Sequence, residues 1–182
     1  MQIKYTDRIV LDEEKDQCVT VDEFKAHALI VHDMHDAQVQ YIIRAAIKSI
    51  ENDINVRLRR ITVQEHYFPQ NGDYTYLRDG NVKVDYVVQA GQQDQLVRNV
   101  HFEVHKNKIT FIDVPKDAEI IIRYLAGYEY AKVPDDIRYA VFMRATALYQ
   151  TRSDLTSESL KLAARCSDNL IAGYKHNRSN RG

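Results

Sequence analysis

Histidine and glutamate side chains lie at a metal-binding spacing in one segment of the sequence. His101, Glu103 and His105 alternate with other residues, so a β-strand would direct all three to one side. Imidazole and carboxylate groups are common metal ligands, and such a site would indicate a metal-dependent hydrolase. We favour the alternative of a solvated strand face, because the intervening Phe102 and Val104 supply an apolar opposite face.

A second polar cluster is the segment 32–36, HDMHD, which contains two histidines and two aspartates. It is either a set of metal ligands or a loop between two helices in which Asp33 or Asp36 caps the second helix. No further ligand pattern accompanies it, so we favour the loop.

Motifs of enzymatic chemistry are absent from the sequence. It contains no glycine-rich phosphate-binding loop and no nucleophile elbow. The two cysteines, Cys18 and Cys166, lie in no CxxC pair, which fits thiols kept in a reducing compartment. We therefore expect no catalytic residue, no bound metal and no cofactor.

Composition is that of a soluble globular protein, with 45% hydrophobic and 28% charged residues. The net charge of −1 gives no overall signature of a nucleic-acid-binding protein. No apolar run approaches membrane-spanning length, and the N-terminus lacks the apolar core of a signal peptide. We expect a chain made in the cytoplasm, with no membrane partner.

Two helices are predicted in the first third of the chain. Thr20 and Glu23 form a capping box at the start of the first helix, which ends before His32. The second helix spans about 36–56, with Arg44, Lys48 and Glu51 on its polar side. Its apolar residues recur at the helical period: Val39, Ile43, Ala46, Ile47, Ile50 and Ile54.

The periodicity then changes to two, which indicates strands. We predict strands at 61–68, 81–89, 98–105, 108–113 and 119–125, with a short edge strand within 3–11. The fold class is therefore α+β: a helical bundle of about four helices, with an antiparallel β-meander inserted between helices 2 and 3. We expect a single domain, 1–182, with a helical body at 19–58 and 130–175 and a β insertion at 60–127.

The third helix follows a strand, Gly127 and Pro134, and is apolar on two sides. Ile137, Val141, Ala145 and Leu148 form one stripe; Tyr139, Phe142, Thr146 and Tyr149 form the other. Either this helix is central to its domain, or its second side contacts another subunit. For the second case we predict Tyr139, Phe142 and Tyr149 at the subunit interface.

A last helix is predicted to end near Tyr174, with an apolar stripe that includes Leu170. The tail, 175–182, is basic, and we expect it to be flexible. It is either a solvated end or a segment that becomes ordered on a partner.

The order of these segments resembles the head–tail connector (adaptor) proteins of tailed bacteriophages. A capped helix VTVDEFKAHALI precedes the long helix DAQVQYIIRAAIKSIENDI, and a β insertion ends in YLAGYEYAKVPDDIRYAVFMRATALYQTR. The resemblance covers 19–152. The matching residues are Thr20, Asp22, Glu23, Lys25, His27, Ala45, Ala46, Ile50, Glu51, Tyr124, Ala126, Gly127, Tyr128, Pro134, Ile137, Ala140, Leu148, Tyr149 and Arg152.

The resemblance implies a structural, non-enzymatic virion protein at the head–tail junction. It implies a homo-oligomeric ring, usually of about twelve copies, beneath the portal protein. The ring would extend the channel for double-stranded DNA, without sequence-specific binding, and dock the tail or completion (stopper) proteins. It also implies a C-terminal segment inserted into the portal, for which the candidate residues are Leu170, Tyr174, Lys175, His176, Arg178 and Arg181. The alternative function is a cytoplasmic module that binds a peptide along its sheet edge.

Overall fold

The structure, a computed structural model, describes residues 5–15, 17–69, 73–90, 96, 101–114, 118–150 and 165–175, with side chains from residue 7 onward. The chain divides into two compact units. The sheet unit comprises Met1–Lys15 and Arg59–Tyr128, and the helical unit comprises Asp16–Leu58 and Glu129–Gly182. The predicted α+β class, with an antiparallel β segment between helices 2 and 3, is confirmed.

The helical unit contains α1 (Val21–His27), α2 (Asp36–Ile54), α3 (Asp135–Gln150) and α4, described over 165–171. Short 3₁₀ turns at Tyr130–Lys132 and Ala172–Tyr174 precede α3 and follow α4. The predicted capping box is confirmed. The Glu23 amide donates to Thr20 Oγ1 at 3.2 Å, and the Thr20 amide donates to Glu23 Oε2 at 2.8 Å.

The apolar stripe of α2 is buried as predicted, from Val39 to Ile54. The prediction that Glu51 lies on the solvated side is wrong, because its side chain is only 9% exposed. After the helix, Asn55 adopts a left-handed conformation, with φ 56°. This reversal brings the Leu58 amide back to donate to Glu51 Oε1 at 2.9 Å and places Arg57 Nη1 at 3.3 Å from Oε2.

Seven strands lie in the described part of the sheet unit: β1 (Tyr5–Glu13), β2 (Ile61–Tyr67), β3 (Tyr74–Tyr76), β4 (Val82–Gln89), β5 (Phe102–His105), β6 (Lys108–Phe111) and β7 (Ile120–Ala126). They form a four-stranded sheet, β1-β2-β7-β4, and a three-stranded sheet, β3-β6-β5, with antiparallel pairs throughout. The predicted N-terminal edge strand is confirmed as β1. Sequence periodicity missed β3, which is only three residues long.

Buried side chains of the sheet unit form an apolar core. Alternate residues of β2 and β7, such as Val63 and Ile122, are fully buried and belong to the same cluster as Ile109 and Phe111 of β6. Side chains from both sheets therefore share this core, and the alternate burial along β2 and β7 follows from the two-residue period of a strand.

The passage from β7 to α3 is organised by a glycine and a proline, as predicted. Gly127 has φ 88°, and its carbonyl accepts from Asn81 Nδ2 at 3.0 Å. Pro134 directly precedes α3, and its carbonyl accepts from the Arg138 amide at 3.0 Å. The proline lacks only an N–H that the first helical turn leaves unpaired in any case.

Candidate functional site

The three residues of the predicted metal spacing lie on and next to β5. Glu103 and His105 are exposed, His101 precedes the strand, and Phe102 is 4% exposed. This arrangement fits the solvated strand face that we favoured. Among the residues that the structure describes, no group of three or more His, Cys, Asp or Glu side chains is close enough to hold a metal ion.

Residues 32–35 are a loop and Asp36 begins α2, but neither aspartate caps this helix. The N-cap is His35, and its side chain makes no capping hydrogen bond. Asp33 and Asp36 instead accept hydrogen bonds from Lys25 Nζ, the latter at 2.9 Å. These hydrogen bonds raise the pKa of Lys25, and the one to Asp33 lowers the pKa of that carboxyl. The capping prediction fails because an ion pair from α1 occupies both carboxylates.

This loop between α1 and α2 presents large apolar side chains to solvent. Leu29, Val31 and Met34 are 86%, 95% and 86% exposed; we call these three side chains the loop patch. The loop has a defined backbone, because Leu29 adopts φ 55° and the Ile30 amide donates to the Lys25 carbonyl at 2.9 Å. Single exposed apolar residues are ordinary, but a group of them on an ordered loop indicates a contact surface.

The three predicted interface residues of α3 lie in two ring clusters. His27 of α1 stacks on Phe142 at 4.8 Å between centroids and meets Tyr139 edge-on at 5.7 Å. Tyr149 packs edge-on against Phe24 at 6.2 Å. Tyr139 is 52% exposed, while Phe142 and Tyr149 are half-buried. None of the three is wholly enclosed, and their place at a subunit interface stays a prediction.

Arg144 of α3 joins three helices of the helical unit. Its Nη1 lies 2.6 Å from both Ser49 Oγ and Asp53 Oδ2 on α2. Its Nε donates to Ser167 Oγ at 2.9 Å, and its Nη2 to Asp168 Oδ1 at 2.7 Å, both on α4. Sequence analysis did not single out this residue, although it is an arginine among the apolar stripes of α3.

An open groove of about 350 Å³ surrounds this arginine. We call it the α2–α3 groove. Leu148, on its wall, is 42% exposed, so part of the lining is apolar. The other lining residues are Ala46, Ser49, Asp53, Arg144, Ala147 and Asp168.

The predicted portal-binding residues fall at the end of the described chain. Leu170 is half-buried on α4, and Lys175 is exposed. The Tyr174 hydroxyl lies 3.5 Å from Asp136 Oδ2 at the start of α3. His176, Arg178 and Arg181 lie outside the described residues. Portal binding by these six residues remains a prediction.

A buried carboxylate in the sheet unit escaped sequence analysis. Glu65 of β2 is 0% exposed. It accepts hydrogen bonds from the hydroxyls of Tyr67 at 2.5 Å and Tyr124 at 3.0 Å, and Arg8 Nε lies 3.4 Å away. Arg8 Nη2 also contacts Asp79 Oδ2 at 2.5 Å. The signal was available, because Glu65 is in phase with the apolar Ile61, Val63 and Tyr67.

The surroundings of Glu65 shift the pKa of its carboxyl in opposite directions. Burial raises the pKa of this carboxyl, while the hydroxyls of Tyr67 and Tyr124 and the charge of Arg8 act to lower it; the net shift is upward. Burial acts to lower the pKa of Arg8, but Asp79 and Tyr124 outweigh it and raise the pKa. A carboxyl with a raised pKa can serve as a catalytic acid. Since Glu65 is fully enclosed, its role here is to tie β1, β2 and β7 together.

The candidate functional features of the helical unit are surfaces: the loop patch, the α2–α3 groove and the ring clusters of α3. The head completion protein family matches residues 17–164. With the α+β fold and its exposed apolar surfaces, this match defines a structural component of the head–tail connection in a phage-like particle. The chain belongs to the head completion protein family. The predicted resemblance to head–tail connectors is thereby confirmed.

Three solved structures of gene transfer agent (GTA) particles contain chains with the same fold. A chain from the neck of an empty particle, computed with C6 symmetry, has a TM-score of 0.68 at 19% identity, covering 97% of this chain and 99% of that one. A chain from the neck of a native particle, computed with C12 symmetry, has a TM-score of 0.66 at 21% identity, covering 96% and 99%. A chain from the native virion has a TM-score of 0.65 at 18% identity, covering 97% and 99%.

At these identities the likeness shows the fold alone. No curated protein matches the sequence. In the parts of the chain that the structure describes, no helix has the length and apolar character needed to cross a membrane.

Proposed function

We propose that copies of this chain close into a ring at the head–tail junction of a phage-like particle. The observation that carries the proposal is the family match over residues 17–164. The shared fold with chains from particle necks computed with C6 and C12 symmetry supports it. We expect about twelve copies in the ring, because a chain of the same fold lies in a particle neck that was computed with C12 symmetry.

In this proposal the ring lies between the portal and the tail or completion proteins, and duplex DNA passes through it. The net charge of −1 suits a channel of this kind. Each lysine or arginine held against a phosphate adds salt-dependent affinity, which would retard the passage of DNA. The role requires no catalytic group and no cofactor.

The portal contact in this proposal is made by the C-terminal segment. Leu170 and Tyr174 supply apolar surface, and the basic residues Lys175, His176, Arg178 and Arg181 supply charge. Contact between subunits involves Tyr139, Phe142 and Tyr149 of α3. The exposure of Tyr139, at 52%, supports its availability for such a contact.

Removal of the gene from the particle-producing genome tests the proposal. We expect DNA-filled heads without attached tails, and restoration of tailed particles when the chain is supplied from a plasmid. A plasmid copy with a frameshift is the matched control. Tailed, DNA-delivering particles formed without the chain would contradict the proposed function.

A further inference from the structure

The helical unit carries two unlike surfaces that are suited to each other. One is the loop patch of Leu29, Val31 and Met34, and the other is the α2–α3 groove. We infer that the loop patch of one copy seats in the α2–α3 groove of the next copy around the ring. This inference rests on the proposed ring and specifies the contact between its subunits.

A chain cannot fill its own groove with its own loop. Met34 precedes α2 by two residues, whereas Ser49 and Asp53 lie in the last turns of that helix. At 1.5 Å per residue, the loop and the groove are about 20 Å apart along α2. A loop patch that occupies the groove must therefore come from another copy of the chain.

Two different surfaces on one subunit are what a ring requires. A head-to-tail contact repeated by rotation closes a ring, whereas a patch that pairs with itself stops at a dimer. A stable isolated dimer needs about 800 Å² on each partner, which three aliphatic side chains alone do not supply. Each subunit of a closed ring, by contrast, makes this contact twice, once with each neighbour. Two contacts per subunit can therefore hold a ring together when each contact is small.

The lining of the groove matches the loop in polarity. The exposed wall of Leu148 offers apolar contact, and Asp53 and Asp168 at the rim are 42% and 51% exposed. The loop brings its apolar patch together with His32 and His35, whose rings lie 5.4 Å apart and are exposed. Imidazole groups can donate hydrogen bonds to the rim carboxylates.

The loop also has the order that a docking element requires. Lys25 Nζ holds both Asp33 and Asp36, and Lys25 itself is only 11% exposed. The conformation of the loop is therefore set before contact, which lowers the entropy cost of association. Next to the loop patch, His27 stacks on Phe142 and meets Tyr139, so the predicted interface of α3 continues the same surface.

Cysteine cross-linking of full-length chains tests this contact. The double variant Met34→Cys with Ala147→Cys, in a Cys166→Ser background, should form a covalent ladder up to the full ring on oxidation. A mixture of the two single-cysteine chains should stop at dimers, and each alone should give none. As a matched control, Phe68→Cys combined with Ala147→Cys should form no ladder. Phe68 is 49% exposed, but it lies in the sheet unit and is not part of the loop patch.

The outcomes separate this inference from the proposed ring. Rings visible by electron microscopy whose double variant does not cross-link, or a Met34→Cys chain that cross-links to itself, would overturn the contact and leave the ring intact. A ladder without closed rings would support the contact and contradict the ring. A chain that neither cross-links nor assembles would overturn both.

Discussion

At the scale of single residues, the most constrained group in the sheet unit is Glu65. Its two carboxylate oxygens accept from tyrosine hydroxyls on β2 and β7, and its register partner on β1 is Arg8. A fully buried carboxylate is costly unless such partners satisfy it. The network therefore adds a side-chain connection to the backbone pairing between the N-terminal strand and β2.

Replacement of that side chain should destabilise the protein strongly. We expect Glu65→Ala to lower the free energy of unfolding by about 3 kcal/mol, because the buried hydroxyls of Tyr67 and Tyr124 lose their bonds to this carboxylate and a cavity forms. Urea unfolding measures this change. Glu103→Ala, an exposed carboxylate in the same unit, should alter stability by no more than about 0.5 kcal/mol. Similar losses for the two variants would argue against the network.

The raised pKa of Glu65 has a defined consequence for the pH dependence of stability. The folded state holds this proton more tightly than the unfolded state, so the contribution of Glu65 is fully present below about pH 4.3 and is lost as pH rises through the folded pKa. Glu65→Gln removes this titration. The stability of the wild type relative to Glu65→Gln should therefore fall as pH rises from 4 to 7. A difference that is constant or grows with pH would refute the assignment.

The polar residues were the least predictable part of the sequence. Glu65 and Glu51 are buried, although acidic residues are usually expected at the surface. Glu51 also lies off the apolar stripe of its helix. Glu51 is buried because a turn beyond the helix returns to it, and helical periodicity contains no information about that turn. The partners of Glu65 are 57 residues upstream and 59 residues downstream, at Arg8 and Tyr124. Such contacts are set by strand register, which a single sequence does not specify.

At the scale of elements, helices with a clear period were predicted well. The stripe of α2 and the capping box of α1 follow from local spacing, and both are present. The short β3, and the engagement of Asp33 and Asp36 by Lys25, depend on tertiary contacts and were missed. The exposed loop patch was missed as well, because solvent exposure of an apolar loop has no periodic signature.

The capping box gives an element-scale prediction. Thr20→Ala should lower the free energy of unfolding by about 1 kcal/mol, because the Glu23 amide loses its acceptor. Thr20→Ser keeps a hydroxyl in place and should stay within about 0.3 kcal/mol of the wild type. Thermal or urea denaturation distinguishes the two variants. An alanine variant as stable as the serine variant would show that the cap contributes nothing.

The surface of α3 gives a second prediction at this scale. Tyr139→Ala should weaken ring assembly at least about tenfold, since an interface tyrosine often contributes more than 1.4 kcal/mol to association. Fold stability should change little, because the ring of Tyr139 is half exposed. Analytical ultracentrifugation measures assembly, and Tyr41→Ala, a 68% exposed tyrosine of α2, is the control. Equal assembly by the two variants would place the subunit interface elsewhere.

At the scale of the whole molecule, the two units differ in what they contain. The sheet unit has a continuous apolar core with a buried ionic network. The helical unit has the loop patch, the α2–α3 groove and the predicted portal-binding end. We propose that the helical unit supplies the subunit contacts of the ring.

Deletion of residues 175–182 tests the portal contact of the whole chain. The deletion removes Lys175, Arg178 and Arg181, and we expect binding to the portal to weaken at least about tenfold, with unchanged circular dichroism. A chain that keeps its length but carries glutamine at these three positions separates charge from length. Wild-type portal binding and particle incorporation by the truncated chain would refute the prediction.

The most direct test of the account is the symmetry of the assembled protein. Cryo-electron microscopy of the purified chain, alone and bound to its portal, gives class averages along the channel axis. We expect closed rings of twelvefold symmetry with an open lumen, seated coaxially on the portal. Monomers, open filaments, or a chain that never associates with the portal would contradict it.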